Sequence, residues 1–111
     1  MTRRFTIALL GLGLALFFTP RFAMAEDHIA EAIAHTKEAI TEGKAGKADG
    51  VVTHASVALT HAEAGEKAKA NPHTEEGIKH LKEAIEEGKK GHASEATTHA
   101  DQALTHLQLA K

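Results

Sequence analysis

The sequence predicts an all-α protein, an up-down antiparallel four-helix bundle made of two tandem helical hairpins. Three observations lead there. The first is an internal duplication: residues 28–66 laid on residues 73–111, an offset of 45, are identical at 20 of 39 positions. A repeat of that length suits a helix–turn–helix unit, and two such units give four helices. The second is composition, because Ala, Glu and Lys dominate between the turns and are strong helix formers. The third is punctuation. Gly43-Lys44-Ala45-Gly46 recurs as Gly88-Lys89-Lys90-Gly91, and Asn71-Pro72 separates the two copies.

Each element follows from its flanks. Met1-Thr2-Arg3-Arg4 is a basic start, Phe5 to Phe18 is a fourteen-residue apolar run, and Ala23-Met24-Ala25 supplies small residues at two cleavage-site positions. This pattern is that of a secretory signal peptide spanning residues 1–25, cut between Ala25 and Glu26. The run is short of the roughly 20 residues a membrane span requires, so no membrane association is expected after cleavage. The remaining domain, residues 26–111, divides into repeat units 26–70 and 71–111. Helices are predicted at about 27–43, 47–69, 72–88 and 92–110. Asp27 is placed to cap the first, and Asn71 with Pro72 at the first helical position starts the third. The glycine segments are short turns, since glycine readily closes one helix before the next.

The predicted core is narrow and made of small side chains. It comprises Ile29, Ala32, Ile33, Thr36, Ala39 and Ile40 in the first helix, and Val51, Ala55, Ala58, Leu59 and Ala62 in the second. Gly77, Ile78, Leu81, Ala84 and Ile85 continue it in the third, with Ala96, Ala100, Ala103, Leu104 and Leu107 in the fourth. Alanine adds little apolar area, and each buried methylene is worth about 0.8 kcal/mol, so a metal-free chain this small should be marginally stable.

After residue 25 the chain has 86 residues, with ten Lys against fifteen Asp or Glu, a formal charge of −5, and all nine His. That balance argues against nucleic acid, which needs a basic face. The cleaved chain has no Cys, Met, Phe, Tyr or Trp. Any metal site is therefore built from nitrogen and oxygen, which suits Cu(II), Ni(II) or Zn(II) and disfavours a dedicated Cu(I) carrier.

The histidines carry the functional signal. His28, Glu31, His35, Glu38 and Glu42 are spaced three, four or seven apart, which places them on one stripe of a helix. The stripe returns as His73, Glu76, His80, Glu83 and Glu87, again as His92, Glu95, His99, Gln102 and His106, and more sparsely as His54 and His61. In every helix it lies at the edge of the apolar face, displaced in the same sense. Antiparallel neighbours then turn these edges toward one another across two of the four seams. The first helix with the second and the third with the fourth is the preferred pairing; the second with the third and the fourth with the first is the alternative. Counting outward from the turns sets His35 level with His54, His28 with His61, His80 with His99, His73 with His106, and His92 with Glu87. Histidines seven residues apart on one helix are about 10.5 Å apart, too far for one ion, so a ligand set needs two helices. The metal-ligand candidates are His28, His35, His54, His61, His73, His80, His92, His99 and His106, with Glu31, Glu76 and Glu95.

These segments, with Ala32 to Glu38 and Ala58-Leu59-Thr60-His61 as examples, resemble the small metal-binding protein family, exported His-rich, Cys-free helical bundles of ammonia-oxidising bacteria. The resemblance spans Glu26 to Lys111. It implies a periplasmic protein that binds several divalent ions, copper foremost, in buffering or trafficking. Lys47 departs from the pattern, standing where the second copy has His92. The expected function is therefore multi-site binding of Cu(II), with Ni(II) and Zn(II) as further candidates, by a periplasmic monomer. The competing reading is a small periplasmic interaction or stress/chaperone-like bundle whose histidines are incidental. No catalytic constellation is present: di-iron bundles use inward Glu-x-x-His motifs, whereas here the order is His-x-x-Glu on the flank.

Overall fold

The computed structural model describes residues 21–111; the basic start and apolar run of the expected signal peptide lie outside them. Four helices follow one another: α1 (Arg21–Lys44), α2 (Ala48–Ala68), α3 (Pro72–Lys89) and α4 (Ala93–Leu109). Each packs against its sequence neighbour and α1 closes on α4, giving a four-helix bundle whose two hairpins, α1/α2 and α3/α4, are its most extensive pairs.

The hairpin turns have the same construction. Gly46 and Gly91 take φ of 77° and 81°, a left-handed conformation that only glycine adopts freely. The next residue's N–H then reaches back five positions, Lys47 to the Glu42 carbonyl and His92 to the Glu87 carbonyl, both at 2.9 Å. Companion bonds from Gly46 to Gly43 and from Gly91 to Gly88, each 3.0 Å, complete a Schellman closure. Lys47 and His92 begin the following helices, their carbonyls accepting from Val51 and Ala96. Between the hairpins, the Asn71 side chain accepts the His73 N–H at 2.8 Å, with Pro72 at the first helical position as expected.

One boundary differs from expectation. Asp27 does not cap α1, because the helix continues upstream to Arg21. Phe22-Ala23-Met24-Ala25 contains no breaker, and Ala25 is itself buried, with its carbonyl close to Gly65.

The core is as lean as the sequence suggests. Nine alanines, Ala32, Ala39, Ala55, Ala58, Ala62, Ala84, Ala96, Ala100 and Ala103, have no exposed area. Leu81, Leu107 and Val51 are the largest fully buried apolar side chains. Buried Thr36 donates its hydroxyl to the Ala32 carbonyl at 2.7 Å, which satisfies it within its own helix. Leu59, Ile78, Ile85 and Leu104, expected in the core, are only partly buried and pack against its margin. The helices meet instead along their smallest side chains. A methyl group added at Gly77 would lie 2.9 Å from Leu107, and one at Gly88 would lie 2.7 Å from Val52 and 3.2 Å from the Ala48 carbonyl.

Candidate metal centres

Close approach brings the histidine edges of α1 and α2 together, and likewise those of α3 and α4. The alternative seams, α2/α3 and α4/α1, hold no histidine pair among the described residues. In the first hairpin the Nδ1 atoms of His28 and His61 are 3.1 Å apart. His61 also stacks on His35, with centroids 5.9 Å apart and planes 3° from parallel, and His35 stacks on His54 at 6.2 Å. The second hairpin repeats the order. His73 and His106 approach to 3.3 Å between Nδ1 atoms, His106 stacks on His80 at 5.7 Å, and His80 on His99 at 6.0 Å. The level pairs expected from counting are present. The rungs between levels, His35–His61 and His80–His106, were not expected, and they join the pairs into one continuous ladder per hairpin.

Carboxylates close these ladders into cages. Glu38 reaches both His35 Nδ1 and His54 Nδ1 at 3.4 Å. Glu83 reaches His80 Nδ1 at 3.6 Å and His99 Nδ1 at 3.3 Å. Glu31 lies on the other side of His35, 3.9 Å from Nε2. Four ladder groups therefore hold donor atoms within 4.8 Å of one another: Glu31/His35/His61, His35/Glu38/His54, Glu76/His80/His106 and His80/Glu83/His99. His35 and His80 each belong to two groups, and the two ring nitrogens of His35 face different ones.

The spacing fits a cation better than it fits hydrogen bonds. The Nδ1 atoms of His35, His80 and His99 are buried with no hydrogen-bond partner. Their carboxylate neighbours stand beyond the usual hydrogen-bond range of about 2.7–3.2 Å. In a tetrahedral site with bonds of about 2.0–2.1 Å, donor atoms are about 3.3 Å apart, close to what these cages present. The Nδ1–Nδ1 contacts carry a further constraint. One ring donates while the other accepts, so the paired rings take opposite tautomers.

A fifth group sits at the second turn. The Schellman bond from the His92 N–H to the Glu87 carbonyl holds the two residues side by side, and their side chains meet at 2.8 Å between Nδ1 and Oε2. Glu95 comes within 3.8 Å of the same nitrogen, completing Glu87/His92/Glu95. The His92 hydrogen bond, opposed by some desolvation and helped by nearby Lys90, holds the Glu87 carboxyl below the ordinary carboxylate value.

Of the residues expected as ligands, His35, His54, His61, His80, His92, His99, His106, Glu31, Glu76 and Glu95 fall in these groups. His28 and His73 join only through their partners on α2 and α4. Three carboxylates in the groups, Glu38, Glu83 and Glu87, were absent from the expected ligand set, although Glu38 and Glu83 follow a histidine by three positions. Glu42, also on the stripe, enters no group. Its side chain instead lies over Gly50, where an added methyl would meet it at 2.7 Å.

No curated protein matches the chain. A family model described as small metal-binding protein matches residues 3–110, nearly the whole sequence. Paired with histidine–carboxylate cages on both hairpins, that match is decisive: the chain belongs to the small metal-binding protein family.

Proposed function

We propose that this protein is an exported, monomeric buffer or carrier of divalent metal ions, cut after Ala25 and working in the periplasm, with Cu(II) its foremost cargo. The basic start, the apolar run and the Ala23/Ala25 pair support export. The absence of sulfur from residues 26–111 and the imidazole–carboxylate donor sets favour Cu(II), followed by Ni(II) and Zn(II). The carrying observation is the trio of buried, unbonded ring nitrogens gathered around Glu38 and Glu83.

Loading follows from imidazole chemistry. A neutral ring has one free lone pair, so His35 serves either the Glu31/His61 side or the Glu38/His54 side, not both. His80 is shared in the same way. An ion in either ladder therefore has an adjacent vacant cage one ring away, and it can shift along the seam without release into solvent. The inner cage of the second ladder is more enclosed than its counterpart in the first. His80 and Glu83 are 16% and 36% exposed, against 26% and 52% for His35 and Glu38, so its donors compete less with water.

Calorimetric titration of metal-free protein with Cu(II), Ni(II) and Zn(II), alongside native mass spectrometry, tests the reading. Saturable uptake with Cu(II) tightest is expected. No heat, no bound ion and no change in melting would overturn it.

A further inference from the structure

We infer that the cleaved chain carries a metal site of a different kind at its new amino terminus, formed by Glu26, Asp27 and His28 and specific for Cu(II) and Ni(II). The inference rests on cleavage after Ala25, part of the function proposed above. It adds a site that the ladders do not contain.

Cleavage there leaves a free α-amine on Glu26 and a histidine third in the chain. A histidine at that position lets one ion take four nitrogens in a plane: the amine, the amide nitrogens of Asp27 and His28, and His28 Nδ1. The chelate needs N–H groups at the second and third residues, and neither Asp27 nor His28 is proline. On binding, the two amide protons pass to water together with any proton on the amine, whose ordinary pKa is about 7.7–8.0. Four nitrogens in a square suit Cu(II) and Ni(II), whereas Zn(II) prefers a tetrahedron.

The fold bears on whether those nitrogens are free. In α1, which begins at Arg21, the N–H groups of residues 26–28 point to the carbonyls of residues 22–24. Cutting after Ala25 removes those acceptors. The amine and both amides then lie in the first turn of the shortened helix, without intrahelical partners. The ion takes nitrogens that the remaining helix does not hydrogen-bond, so only residues 26–28 must leave helical geometry to converge on it.

The imidazole is also accounted for. His28 belongs to none of the three-donor groups, and its Nδ1, the atom the chelate requires, faces His61 Nδ1 at 3.1 Å. The terminal site therefore borders the first rung of the α1/α2 ladder, and an ion released from it meets His61 next. The second repeat supplies an internal control. His73 occupies the equivalent position, but Asn71-Pro72 precedes it within the chain, and Pro72 has no N–H to give up. One such site per molecule follows.

The test uses the exported, processed protein without an amino-terminal tag. Intact mass should give a chain beginning at Glu26; any other start overturns the inference. The comparison protein carries one extra glycine before Glu26, which keeps every side chain but makes histidine the fourth residue. Native mass spectrometry should find one Cu(II) and one Ni(II) fewer in the extended protein, with Zn(II) counts equal. The absorption band of a square four-nitrogen Cu(II) centre should accompany the tightest event in the processed chain and be lost from the extended one. Asp27→Pro, lacking an amide proton, should lose the same band. Identical Cu(II) counts and spectra in processed and extended chains would overturn the terminal site while leaving the ladders standing. Absence of bound metal from both proteins would instead overturn the carrier function.

Discussion

The two hairpin turns share a backbone and differ in chemistry. Both close through a left-handed glycine and a 2.9 Å bond from the following residue back to a glutamate carbonyl. In the second turn that residue is His92, and with Glu87 and Glu95 it forms a three-donor group. In the first turn it is Lys47, the position of Glu95 is held by Gly50, and Glu42 folds over that glycine. Two side chains separate a metal-ligand cluster from an ordinary helix junction. The hairpin is thus a frame that fixes where donors stand, and loading is decided by which residues occupy those places.

Filling the frame should have the largest measurable effect. A ligand at a hundredfold excess over its dissociation constant adds about 2.7 kcal/mol per independent site. For a domain below 100 residues each 1 kcal/mol raises the melting temperature by about 4–8 °C, so Cu(II) should raise it by more than about 10 °C in a thermal melt at neutral pH. The rise should shrink as the solution is made more acidic, because protons compete with the metal for the ring nitrogens. Replacing His28, His35, His54 and His61 by alanine together should remove the first hairpin's share of the rise while the second hairpin keeps its own.

Single substitutions within one ladder should split unequally. His35→Ala removes a donor from both groups of the first hairpin, whereas His54→Ala leaves Glu31/His35/His61 intact. Ion counting by native mass spectrometry should show a loss in the first variant and an unchanged count in the second. Two ions lost from the first variant and one from the second would mean that the two cages fill independently.

Grafting the second turn onto the first sharpens the contrast further. Lys47→His with Gly50→Glu should add one Zn(II) to the count, and His92→Lys should remove one. Gly50→Glu also sets a new Cβ 2.7 Å from the Glu42 Cβ, which no rotation of the Glu42 side chain can clear, so the graft should lower metal-free stability in urea denaturation.

The smallest effect concerns one proton. With its carboxyl held low by His92, Glu87 favours the folded state above the ordinary carboxylate value of 4.5, and this contribution fades as pH falls through the lower native value. His92→Ala should move the Glu87 titration upward in a carboxyl-detected NMR experiment. No movement would mean that the 2.8 Å contact is not populated in solution.

Much of this was legible in the sequence because it is local or repeated. The 45-residue offset, the paired glycines and Asn71-Pro72 mark the hairpins, and counting from the turns matches His28 to His61 and His80 to His99. What escaped depends on contacts between distant segments. Glu38 and Glu83 bridge two helices only because α2 and α4 present His54 and His99 at the right height, which helical spacing alone does not reveal. Ile78 and Ile85 look like core on a helical wheel, yet they are only partly buried at its margin. Asp27 looked like the cap of the first helix, yet that helix runs on upstream to Arg21 and buries Ala25.

The alanine-lined interior has a consequence beyond weak cohesion. Packed helices stand about 8–10 Å apart according to the bulk of the side chains between them, and alanine holds them at the near end of that range. The metal–donor bonds expected of such cages tolerate only a few tenths of an ångström, so the bundle works as a calliper whose jaws are set by methyl groups. Enlarging Ala55 or Ala100 to leucine would fatten the rod and spread the jaws past the width of an ion, exchanging grip for cohesion.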